Sequence, residues 1–140
     1  MVLSIYTKYK NGHKSSFVEK ILDGSKKHSI REDLDEQWNS GLKIQFVTGE
    51  NPQDYNQFSS GTCTSVQKIE ISRSRGDQMQ VKVDDKTLCI DEIKLLAAND
   101  GFDTLRDLFD FIVPIDTTQA LQLQRNTFKG KLIHWTDLKY

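Results

Sequence analysis

Much that would point to a metal centre, a disulfide scaffold, a membrane span or a polyanion-binding arm is scarce in this chain. Its 140 residues include two cysteines, Cys63 and Cys89. They form no C-x-x-C pair and have no Cys/His cluster beside them, which argues against a zinc site. They read as two half-buried, reduced thiols of a cytoplasmic protein. The three histidines, His13, His28 and His134, show no metal-ligand spacing. Neither a metal nor an organic cofactor is therefore expected. No apolar run approaches the length that crosses a bilayer, so no membrane partner is expected. The start, Met1-Val2-Leu3-Ser4-Ile5, reaches Lys8 without the apolar stretch of a signal peptide. Charge of one sign is also lacking: the formal net charge is -1, which makes no global electrostatic case for nucleic-acid binding.

What is present describes one domain of ordinary size with enough apolar material for a core, at 36% hydrophobic and 28% charged residues. The charges are distributed unevenly. Residues 1–31 hold seven Lys or Arg against two acids, and residues 32–60 hold one Lys against six acids. That pattern suits a local basic rim, or two charge sets that neutralise each other in space.

Periodicity predicts strands near 2–7, 43–48, 62–73, 78–83 and 130–135. It predicts helices near 16–23, 91–99 and 103–112. Ser16 and Glu19 have the spacing of a capping box, and Gly24 stops the helix behind them. Asp91 and Asp103 are the expected caps of the other two helices, and Pro114 the stop of the last. Residues 28–31 read as a short strand with Ile30 inward and Ser29 and Arg31 facing the other way. Residues 49–61, rich in Gly, Asn, Gln and Ser, read as a long loop of the kind that often carries function. Strands at both ends with helices inserted between them predict an α+β fold built on a small, partly closed β-barrel.

The most informative segment is Gly24-Ser25-Lys26-Lys27-His28-Ser29-Ile30-Arg31, a G-x-K-x-x-S-x-R pattern. A helix ends at the glycine, and cations and a hydroxyl follow at fixed spacing. That suits a pocket for a nucleotide, a phosphate or a polar carbonyl. The pattern resembles the signature of the ASCH family of the PUA-like superfamily, usually G-x-K-x-x-T-x-R. The segment Phe17 to Gly24 corresponds to the family's first helix. Gly41 and the strand behind it resemble its next strand entry, with Leu42 in place of the usual acid. Asp100-Gly101-Phe102 resembles its E-G-F junction between helices. The ending Ile133-His134-Trp135-Thr136-Asp137-Leu138 looks like a subgroup of short bacterial and phage-type members.

The resemblance implies a β-barrel related to RNA-binding PUA domains. It also implies a possible amidohydrolase activity on acetylcytidine, carried in some small members by a Lys, a Thr and a Glu. By motif position those correspond to Lys26, Ser29 and Asp100; Ser29 keeps a hydroxyl, and Asp100 is one methylene shorter than Glu.

In that chemistry Lys26 accepts a proton from Ser29 or stabilises the oxyanion, and Asp100 orients the ammonium. The plain alternative is that Lys26 and Lys27 are solvated cations at a helix C-terminus. Arg31 offers a planar fork for phosphate or a base edge, or else pairs with Glu32 or Asp33. Trp38, Tyr55 and Phe58 can stack on a nucleobase, or simply anchor loop and core. Asn56 can read a base edge, and His134 can face the pocket or serve the structure. The reading that gathers these residues is a module binding RNA or a modified nucleoside in a cleft formed by Gly24–Arg31. The alternatives are an amidohydrolase deacylating an acylated nucleoside, and a protein-interaction or phage accessory module. A binding module should gather Lys8, Lys26, Lys27, Arg31 and Lys129 on one face. A hydrolase should bring Lys26, Ser29 and a carboxylate within hydrogen-bond reach. Alanine at Lys26 or Arg31 is expected to remove binding and leave the fold intact.

Overall fold

The computed structural model describes residues 1–9, 11–74, 78–113 and 125–140. The fold is α+β. Its elements run β1 (Val2–Ser4), α1 (Phe17–Asp23), β2 (His28–Arg31), β3 (Lys43–Thr48), β4 (Asn56–Thr62), β5 (Ser65–Ser74), β6 (Gln78–Val83), β7 (Lys86–Thr87), α2 (Ile90–Asn99), α3 (Leu105–Ile112) and β8 (Arg125–His134). A 3-10 turn at Pro52–Asp54 precedes β4.

The strands form two sheets. One has the order β1-β3-β4, with β1 parallel to β3; the other has the order β2-β8-β5-β6-β7, antiparallel throughout. Among the described residues these sheets do not join into a closed barrel. The buried side chains of both nevertheless form one contiguous cluster, with Ile44 and Phe46 from the first sheet and Ile71, Val81, Leu132 and Ile133 from the second. Alternation explains this. Residues 44 and 46 of β3 are buried while 43 and 45 are exposed, as a half-buried strand requires. The helices close one side, α3 against β5, where the buried Arg73 donates to Asp110 at 2.9 Å.

Several expectations need correction. The segment read as a loop over 49–61 contains β4, which pairs antiparallel with β3 from Asn56 to Thr62. Its Asn, Gln and Ser residues have weak strand propensity, but a paired neighbour satisfies their backbone groups all the same. The capping box at Ser16 does not form: Ser16 is left-handed (φ 59) and its side chain makes no cap bond. Thr104, rather than Asp103, caps α3, accepting from Asp107 N at 3.1 Å. Cys89, rather than Asp91, precedes α2, and the Glu92 carboxylate accepts its backbone amide at 3.1 Å. The last strand begins at Arg125, earlier than read. The helix stop at Pro114 and the segment 115–124 lie outside the described residues.

Three features position the site. Gly24 is left-handed (φ 87), ends α1, and turns the chain so that Lys26 enters the interior. β2 pairs with β8 in the register His28↔His134, Ser29↔Ile133, Ile30↔Leu132, which draws these three of the four β2 residues into the core. Gly101 (φ +94) lets the chain leave α2 directly against Phe17 and Lys26; a Cβ there would lie 3.1 Å from the Phe17 ring and 3.3 Å from Lys26 Cδ.

Candidate functional site

The ammonium of Lys26 lies inside the protein; the residue is 2% exposed. The reading of a solvated cation is thereby overturned, and glycine-led entry behind α1 is the cause. Nζ donates to His28 O at 2.9 Å, to Asp100 O at 2.6 Å and to Asp100 Oδ1 at 3.1 Å. These partners use all three ammonium protons. Nζ also stands 4.7 Å above the Phe17 ring and 5.8 Å from that of Trp135. Burial pulls the Lys26 pKa below its ordinary value, opposed by the Asp100 charge and its hydrogen bond. For Asp100 burial alone acts upward, but Lys26 and then His28 outweigh it and hold the carboxyl below its ordinary range.

Lys26, Ser29, Arg31 and Asp100 line one narrow cleft together with Ile5, Tyr6, Phe17, Phe102 and Phe111. Its volume is ≈ 20 Å³. Tyr6 and Phe111 meet edge to face across it at 5.2 Å. Arg31 is held by its neighbours: Nε donates to Ser29 Oγ at 3.2 Å, an Nη donates to Ser4 O at 2.5 Å, and the guanidinium lies 5.3 Å from the Tyr6 ring. No ion pair joins Arg31 to Glu32 or Asp33 among the described residues. Lys26, Ser29 and Arg31 therefore share a cleft, with Asp100 directly on Lys26. No bond joins Ser29 Oγ to Lys26 Nζ.

The remaining candidates do not line this cleft. Lys27 donates its amide to Asn99 O. Trp38 packs against the core behind the acidic segment, its amide bound to Asp33 Oδ2 at 3.1 Å. Tyr55 ends the 3-10 turn at Pro52–Asp54, and Asn56 and Phe58 belong to β4 of the three-stranded sheet, where Phe58 tilts against Phe46 at 6.3 Å. His134 is fully buried and its Nε2 lies 3.0 Å from Gln67 Oε1. The basic residues are also dispersed. Lys8 lines a groove with Lys14, and Lys129 lines one of ≈ 240 Å³ with Lys68, Lys82, Lys131 and Glu70.

Sequence reading missed His28. Its Nδ1 lies 2.7 Å from Asp100 Oδ2 and its Nε2 2.7 Å from the Tyr140 hydroxyl. Burial holds the imidazole pKa below its ordinary value, against Asp100. The signal was available: with Ile30 inward, period two puts His28 inward as well. For Tyr140 and Gln67 no local signal exists, because the bonds that tie Tyr140 to His28 and to Gln67 each span more than seventy positions.

Taken together these features define a small α+β protein with a buried lysine–carboxylate pair at the floor of an aromatic-lined cleft. No family model, no curated protein and no solved structure matches the chain. Among the described residues no helix is long and apolar enough to cross a membrane.

Proposed function

We propose that the chain is an ASCH-type, PUA-like module, a partly closed barrel in that family's sense, whose cleft takes a modified nucleoside. One observation carries the reading: Lys26 and Ser29 of the G-x-K-x-x-S-x-R run and Asp100 of the Asp100-Gly101-Phe102 segment meet at one cleft although Asp100 lies seventy-four positions from Lys26. Strongly perturbed ionisable groups at a cleft are the usual mark of a functional site. The dispersal of Lys8, Lys26 and Lys129 over separate grooves favours a nucleoside over a long RNA laid across one basic face. A volume of ≈ 20 Å³ holds about one water, so a base enters only as Tyr6 and Phe111 part.

The Lys26–Asp100 distance of 3.1 Å favours a second reading on the same cleft, deacylation of an acylated nucleoside. Ser29 Oγ would add to the acyl carbonyl as its proton passes to Lys26, whose ammonium hands one of its own protons to the Asp100 carboxylate. The carbonyl oxygen would take its charge beside Arg31, and the nucleoside amine would leave with the proton from Lys26. Water would then release the acyl group from Ser29.

Thermal unfolding with acetylcytidine and cytidine tests both readings. A ligand that binds only the folded chain raises the melting temperature with concentration. The expected result is stabilisation by acetylcytidine, reduced in Arg31→Ala and retained in Ser29→Ala. Hydrolysis followed by chromatography, present in the wild type and absent in Ser29→Ala, supports deacylation. No stabilisation at millimolar nucleoside overturns the nucleoside reading.

A further inference from the structure

The Asp100 carboxylate is shared between two donors. Oδ1 accepts from Lys26, and Oδ2 lies 2.7 Å from His28 Nδ1. An ionised carboxylate only accepts, so Nδ1 carries the imidazole hydrogen. Nε2 is then a bare lone pair, 2.7 Å from the Tyr140 hydroxyl, which donates to it. That hydroxyl in turn accepts from Asn99 Nδ2 at 3.1 Å. Every role is thus set in one direction, from Asn99 to Tyr140, to His28, to Asp100. The opposite tautomer would turn a lone pair of Nδ1 onto the carboxylate. Tyr140 is itself anchored: its amide donates to Gln67 Oε1 at 3.0 Å, and Gln67 Nε2 donates to its carbonyl at 2.7 Å. The groups facing His28 are Asp100 and Asn99 at the end of α2, His134 on β8 at 5.1 Å between ring centroids, Tyr140, and Lys26 and Lys27 beside it in the chain.

We propose that His28 and Tyr140 are positioning residues of the Lys26–Asp100 cleft. The Asp100 carboxylate sets His28 in the Nδ1–H tautomer, the Tyr140 hydroxyl donating to Nε2 holds the ring there, and His28 in turn keeps Asp100 ionised with its other oxygen turned to Lys26. The functional consequence rests on the nucleoside reading above; the hydrogen-bond chain is a property of the unligated protein. Removing the Tyr140 hydroxyl strips Nε2 of its donor and frees the ring to turn away from Asp100. Asp100 then loses a charge-assisted bond to its ionised form, and its carboxyl titrates higher.

Two measurements on the unligated protein decide this. Long-range proton–nitrogen spectra between about pH 5 and 8 should show His28 protonated at Nδ1 and bare at Nε2, with His134 the reverse, as its bond to Gln67 Oε1 requires. In Tyr140→Phe the coupling of the His28 Nδ1–H signal to Asp100 should weaken, and the Asp100 carboxyl, read from its carbon shift, should titrate at higher pH than in the wild type. The side chain at 28 gives a second arm. His28→Asn keeps an N–H in the Nδ1 position and should keep the Asp100 midpoint near the wild-type value, whereas His28→Leu should raise it. Tyr140 is only half-buried, so Tyr140→Phe decides the matter if His28→Leu does not fold. An Nε2–H tautomer or an imidazolium in the wild type overturns the proposal, as does an unchanged Asp100 midpoint in Tyr140→Phe. With acetylcytidine as probe, Tyr140→Phe should bind about tenfold more weakly. If the wild type fails to bind acetylcytidine, the nucleoside reading falls and the spectra still decide the positioning role.

Discussion

A buried ammonium is retained in a fold only where carboxylate and carbonyl oxygens replace its water, and Lys26 has three of them. Removing one partner leaves the other charged and dry. Lys26→Met should therefore destabilise the chain by roughly 3–5 kcal/mol in urea unfolding, and adding Asp100→Leu should recover part of the loss. This replaces the expectation that alanine at Lys26 spares the fold, and it makes Ser29 and Arg31 the better sites for testing ligand binding. His134 provides a second prediction at this scale. Burial, then the neighbouring His28, lowers its pKa from 6.5 to about 4, and its Nδ1 has no hydrogen-bond partner among the described residues. Because the folded state favours neutral His134, the contribution is full above pH 6.5. It falls as the pH drops from 6.5 to about 4, where the unfolded chain binds a proton that the folded chain refuses. The loss is of order 3 kcal/mol. Urea unfolding across that window should show it, and His134→Gln should flatten the slope.

At the scale of elements, the helix starts separate sequence logic from observed geometry. Thr104 accepts a real capping bond, so Thr104→Ala should cost about 1 kcal/mol. Ser16 makes none and sits at φ 59, so Ser16→Gly should be neutral or stabilising, where a working capping box would make it costly. Paired urea titrations of the two variants measure both. Gly101→Ala should cost more than either, because its φ of +94 is strained for an L side chain and the added methyl meets Phe17 and Lys26. The same reasoning explains which elements were legible. β3, β6 and α3 bury residues at the period of their own geometry, so each could be read from its own residues. β4 could not be, because Asn, Gln and Ser carry no apolar period. It is a strand only because β3 lies beside it.

For the whole molecule, the core spans two sheets and three helices, and this governs how the thiols behave. Cys63 is fully buried and its thiol is raised by burial, while Cys89 is exposed ahead of α2. A thiol reagent should modify one cysteine in the native protein and the second only on unfolding, as mass spectrometry of intact protein would record. Equal labelling of both under native conditions would contradict the burial of Cys63.

The sequence by itself determined the α+β class, the order and period of most elements, the glycine stop at Gly24, and the K-x-x-S-x-R run behind it. These are local properties, set by spacing along a few turns or strand residues. Tertiary structure decided which of those residues meet. It made Lys26 a buried ion-pair partner instead of a surface cation, because β2 docks on β8 and brings in Asp100 from the end of α2. It left the sheets unclosed among the described residues, and it moved Trp38, Tyr55, Asn56, Phe58 and His134 away from the cleft. It also joined His28 to Tyr140 across more than a hundred positions. Spacing along a chain carries no record of such contacts, because the energy that selects them is the burial and pairing of groups that only the packed fold makes neighbours.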